Sequence, residues 1–180
     1  AWLPLALNLF TAVCASFVLV QLARSVALLR YEMVSADPFR QGKPVSAHLP
    51  MRAAWMPPLL AVLVCGLQLT FWENATSATG EMISLLCFAY AIRCLLEFRV
   101  TENQSWLSRC ACVYAAGMAD HWMLVGYFPV LVATILWIKG LGPFLELRFL
   151  LRMMFWGLVG LSLYLLLPTL LGFSGEHQLD

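Results

Sequence analysis

The chain has 180 residues, of which 62% are hydrophobic and only 12% charged, and its mean hydropathy is +0.81. A soluble domain of this length needs far more polar surface, and a net charge of +1 offers nucleic acid nothing to bind. The composition predicts an integral membrane protein. Six cysteines are scattered through apolar stretches, which reads as buried thiols acting as small hydrophobes. Cys110 and Cys112 are too close together for a zinc knuckle or a redox motif.

The chain opens at Ala1 in an apolar run without a basic leader or cleavage site, so it is expected to be a piece of a longer protein. The first helix is predicted from Trp2 to Leu29, with Pro4 near its start and Arg24 and Arg30 at its end. Tyr31 to Arg52 reads as a surface loop, because it holds Asp37-Pro38, Gly42, Pro44 and Pro50. A second helix is predicted from Ala53 to Phe71, with Pro57 and Pro58 in its first turn.

Phe71 to Glu81 is short, polar and free of Lys and Arg, and reads as a turn between two apolar runs. A third helix follows from Glu81 to Phe98, then a charged connection from Arg99 to Ser105. Arg93 and Glu97 stand four apart, the spacing of a pair on one helix face. The last helix is expected from Arg148 to Leu171, before a polar tail with Glu176 and Asp180.

Trp106 to Ile138 fits either one long helix or a hairpin of two short ones. The eleven Lys and Arg residues decide between them. A hairpin turning between Asp120 and Pro129 lets every one reach a single membrane face, as the positive-inside rule prefers. Each arm then has ~12–17 residues, short of the ~20 of a full span, so its turn should be buried in protein or line a wet cavity. The predicted fold is all-α: a polytopic transmembrane helical bundle of about six helical segments, including that hairpin.

Glu73 and Glu81 could serve as bases or hold a cation, although Glu81 also suits a helix start. Asn74-Ala75-Thr76 and Asn103-Gln104-Ser105 fit the glycosylation sequon. Asp120 and His121 are an ionisable pair in an otherwise apolar stretch, which is costly unless they meet water or a partner. The plainer reading makes them a hairpin tip at the headgroup level, anchored by Trp122 and Tyr127.

Several of these landmarks resemble a known family. Asn8-Leu9 opens a helix rich in small residues, and Phe71-Trp72 is followed by Ala75. Gly117 precedes Asp120-His121, Pro129 follows, and Tyr164 leads to Leu167-Pro168. In order and spacing these resemble the protein O-mannosyltransferase-like membrane proteins of the GT-C glycosyltransferase superfamily. In that pattern Asp120 stands where the family has Asn, and Thr79 stands where it often has Glu, with Glu81 two residues on.

The resemblance implies that residues 1–173 are part of a GT-C-like transmembrane domain and 174–180 a polar tail. It implies transfer of a sugar from a polyprenyl-phosphate donor to a protein or glycan acceptor at the non-cytoplasmic face. The principal catalytic acid would lie upstream of Ala1, so the chain alone would be inactive and would need the remainder of its own polypeptide. Glu81, Asp120 and His121 become catalytic candidates, and Trp72, Glu73, Asn74 and Trp122 candidate substrate contacts. No dedicated metal set is implied, although Asp120 could hold a divalent cation. The implied setting is a lipid bilayer, by preference a bacterial inner membrane with Lys and Arg cytoplasmic. The competing reading is a non-catalytic membrane subunit or transporter segment.

Overall fold

The computed structural model describes residues 2–35, 55–77 and 80–175, with the side chains of 30–35, 120, 141, 143 and 163–175 left aside. The expected loop around Asp37-Pro38, Pro44 and Pro50 lies outside the described residues, as do Ala1, Thr79, Glu176 and Asp180. Among the described residues there are eight helical segments and no strand. The chain divides into two compact units, Ala1–Met82 and Ile83–Asp180.

The first unit is built on α1 (Leu3–Ser35), with α2 (Met56–Gly66) and α3 (Leu69–Thr76) packed against it. Buried positions on α1 recur at Thr11, Cys14, Ala15, Val18, Gln21 and Ser25, a stripe at helical spacing. Apart from Val18 these residues are small or polar, while Leu9, Phe10, Phe17 and Val20 are exposed. The usual inside-out order of a soluble helix is thus reversed. Thr11 Oγ1 donates to the Ala75 carbonyl of α3 at 3.1 Å, and Leu19 rests 3.7 Å from the Cβ position of Gly66 on α2.

The second helix does not run unbroken from Ala53 to Phe71. It starts at Met56 with prolines in its first turn, ends at Gly66, and meets α3 at a bend of 68°. Gly66 is a poor helix former, and Gln68 adopts an extended backbone that begins α3. The bend lays two separate small-residue contacts, Gly66 and Ala75, along the same helix α1. The expected turn from Phe71 to Glu81 is corrected as well. Its first six residues are helical, because Phe71 and Ala75 stand four apart and are both buried.

The second unit comprises nearly all of α4 (Glu81–Thr101) with α5 (Gln104–Asp120), α6 (Met123–Lys139), the short α7 (Leu141–Phe144) and α8 (Leu147–Gly175). The charged connection shrinks to Glu102 and Asn103. Glu102 takes a positive φ of 54°, and the Asn103 side chain caps α5 by accepting from the Ser105 N–H at 3.0 Å. Arg93 and Glu97 form the expected pair at 3.5 Å.

Trp106 to Ile138 is a hairpin. Leu107 of α5 and Ile135 of α6 share one buried cluster with Ala91, Cys94 and Phe98 of α4 and Phe149 of α8. α8 runs parallel to α5, since Arg152 meets Gln104 while Gly160 meets Cys112 and Ala115. At Gly160 the backbones are so close that an added Cβ would overlap the Cys112 carbonyl oxygen. Cys94 and Cys110 are fully buried, and the Cys110 thiol reaches the Ala91 carbonyl at 3.6 Å.

Candidate functional site

The hairpin tip is made by a break of two residues. His121 leaves the helix with φ −133° and ψ 111°, while its N–H still donates to the Gly117 carbonyl at 3.0 Å. The His121 carbonyl then accepts from Leu124 N–H at 3.1 Å, which starts α6. Tyr114, buried in α5, donates its hydroxyl hydrogen to the Leu124 carbonyl and ties the two arms together. Gly117 is wedged between α4 and α6, because an added Cβ would sit 2.9 Å from Leu124 Cδ1 and 3.0 Å from Cys87 Cβ. His121 is therefore half-buried on a clamped backbone, and Trp122 beside it is 80% exposed. Asp120 closes α5, and its side chain is not among those described. Tyr127, one helical turn into α6, is about half exposed and stacks on Phe88 at 5.4 Å.

Within this unit the cations collect at the other end of the hairpin. Arg93 and Arg109 both lie over the Trp106 ring, at 5.9 and 4.8 Å. Arg152 Nη1 donates to Gln104 Oε1 at 3.5 Å, and the Lys139 ammonium lies 3.4 Å from the centroid of Phe149. α6 has 17 residues, so this end lies about 25 Å from the tip.

The remaining candidates belong to the first unit. On α3, Trp72 and Glu73 face outward, whereas Asn74 is half-buried. The last turn is closed by Thr76, whose hydroxyl donates to the Trp72 carbonyl at 2.8 Å, and by Ser77, whose hydroxyl donates to the Asn74 carbonyl at 3.4 Å. Glu81 is exposed in the first turn of α4, where the partial positive charge of the helix end favours a carboxylate. The candidates thus form two groups: Trp72, Glu73, Asn74 and Glu81 in one unit, and Asp120, His121 and Trp122 in the other. Among the described residues, no three His, Cys, Asp or Glu side chains gather into a metal site. Tyr164 and Leu167-Pro168 lie in α8, but their side chains are outside the described set.

Two features escaped the sequence reading. Tyr114 precedes Gly117 by three residues, so both fall on one helix face, and that spacing was the available signal. The second is an apolar cavity of about 320 Å³ between α5, α6 and α8, walled by Tyr114, Met118, Leu131, Ile135, Phe149 and Met153. Its lining comes from helices far apart in sequence, which no local pattern reveals.

The fold is all-helical among the described residues, and its Leu3–Leu29 stretch is long and apolar enough to cross a membrane. The α2–α3 pair would add a second, broken span, and α6 is apolar but shorter. Comparison with family models, curated proteins and solved structures finds no match.

Proposed function

We propose that this chain is the membrane-embedded part of a GT-C-type glycosyltransferase and that the α5–α6 hairpin tip forms one wall of its active site. Membrane placement is supported by the reversed polarity of α1, which buries Thr11, Gln21 and Ser25 and exposes Phe10 and Phe17. Only 22% of the most apolar stretch of α1 is buried, unlike the core helix of a soluble protein. The same exposure recurs at Trp137 in α6 and Phe155 in α8. On this reading α4, α6 and α8 also lie in the bilayer.

The observation that carries the catalytic reading is His121 on its clamped break, at the end of the second unit remote from Arg93, Arg109, Arg152 and Lys139. By the positive-inside rule that end is non-cytoplasmic. The proposed reaction follows from the resemblance. A carboxylate base would take the proton of an acceptor hydroxyl. The hydroxyl oxygen attacks the anomeric carbon, the bond from that carbon to the phosphate oxygen breaks, and polyprenyl phosphate leaves with inversion. His121 would donate a hydrogen bond to the departing phosphate, where negative charge develops. Trp122 would stack on sugar or prenyl chain.

Transfer from a polyprenyl-phosphate sugar should be measured in the full-length protein. Loss of one donor to a developing anion lowers turnover by about 10²-fold, and that is the expectation for His121→Ala. Wild-type kinetics in this variant would remove His121 from the site and favour a non-catalytic membrane subunit.

A further inference from the structure

Two adjoining hollows on the α4–α6 face of the second unit share Arg99, Trp137 and Ile138. One, of about 430 Å³, is lined by apolar residues including Ile92, Leu96, Val130 and Ala133. The other, of about 450 Å³, is lined by Arg99, Glu102, Gln104 and Lys139. Together they make one groove, apolar along its length and polar at its end. Trp137, at the junction, is 88% exposed, a setting that suits an indole at the boundary between acyl chains and headgroups.

The polar end carries more cations than carboxylates: Arg99 and Lys139 line it with Glu102, Arg152 bonds to its Gln104, and Glu146 is a further carboxylate near Lys139. The Lys139 Nζ is fully covered and has no hydrogen-bond acceptor among the described residues. It rests on the Phe149 ring, which offers a cation less than an anionic oxygen does. Its four-carbon stem lets it swing to such an oxygen in the groove.

We propose that this groove binds an anionic phospholipid, with an acyl chain along α4 and α6 and the phosphate between Arg99 and Lys139. The polar end of the groove lies about 24 Å from the hairpin tip along α6. The site rests on the membrane reading above and not on the glycosyl-transfer reading. On that reading it faces the cytoplasmic leaflet, where anionic headgroups meet basic residues.

The test is native mass spectrometry of the purified full chain in neutral detergent, titrated with dioleoyl phosphatidylglycerol or dioleoyl phosphatidylcholine. Phosphatidylglycerol should be retained about tenfold more tightly. Combining Arg99→Gln with Lys139→Gln should abolish the preference, while Arg24→Gln, on α1, should leave it intact. Ala133→Leu, which narrows the apolar half, should weaken both lipids. Equal retention of the two lipids by a chain that resists carbonate extraction would overturn the site, as would a preference that survives the double substitution. Release of the chain by carbonate would instead overturn the membrane reading.

Discussion

Replacing Gly160 by alanine tests the closest contact in the second unit. The substitution adds one methyl group to a buried position on α8. The new Cβ would overlap the Cys112 carbonyl oxygen and stand 3.0 Å from both the Cys112 carbonyl carbon and Ala115 Cβ. Backbone atoms cannot rotate away, so α5 and α8 must part, and a gap of 0.5–1 Å forfeits roughly a quarter to a half of each atom contact along the crossing. Overpacking of this kind costs roughly 1–3 kcal/mol, and more where backbone must move. Alanine returns about 1 kcal/mol through its better helix propensity. The expected net loss is about 2 kcal/mol, or roughly 30-fold in the unfolding equilibrium.

Gly157 supplies the control, since a Cβ there meets nothing within 4 Å. Gly157→Ala should be neutral or stabilising by up to about 1 kcal/mol. The assay is thermal unfolding in detergent, together with the maleimide reactivity of Cys110, which lies in the cluster that α8 covers. Gly160→Ala should lower the midpoint and speed labelling of Cys110. Equal behaviour of the two variants would refute the close α5–α8 crossing.

Tyr114→Phe removes the hydroxyl that ties α5 to the Leu124 carbonyl and should cost about 1 kcal/mol, read as a lower thermal midpoint. On the proposed glycosyl-transfer reading it should also lower transfer by loosening His121, with turnover falling more than KM changes. Asn103→Ala deletes the cap of α5 and should cost about 1 kcal/mol. Glu102→Gly relieves the left-handed backbone at φ 54° and should stabilise by about 1 kcal/mol in the same unfolding assay.

The parts of this structure that were legible in the sequence are those set by local chemistry or by charge. Pro57 and Pro58 marked the start of α2, Glu81 marked that of α4, and Arg93 with Glu97 announced an ion pair one helical turn apart. The hairpin was legible through the placement of Lys and Arg, because the length of the stretch alone fits one long helix as well as two short ones. The break at Leu67–Gln68 was not legible. One glutamine in an apolar run carries no turn signal, and the bend exists because both helices pack on α1. Trp72, Glu73 and Asn74 suggested a loop by their polarity, yet Phe71 and Ala75 fixed a helix through burial. Gly160 looked like any glycine in a leucine-rich run, since its partner Cys112 is 48 positions away. Of the candidate site, the sequence indicated His121 and its neighbours but not Tyr114, whose contribution is a contact across the turn.

The central claim is that the hairpin tip and the basic end of the second unit lie on opposite sides of a membrane. Single cysteines at Trp122, which is exposed at the tip, and at Glu102, which is exposed at the basic end, probe it directly. The background is a chain whose half-buried Cys65, Cys87 and Cys112 are replaced by alanine. The reagent is a membrane-impermeant maleimide added to intact cells that express the full-length protein. The account predicts that Trp122→Cys is labelled at once and Glu102→Cys only after the membrane is opened. Labelling of both positions from outside, or of Glu102→Cys alone, would contradict it.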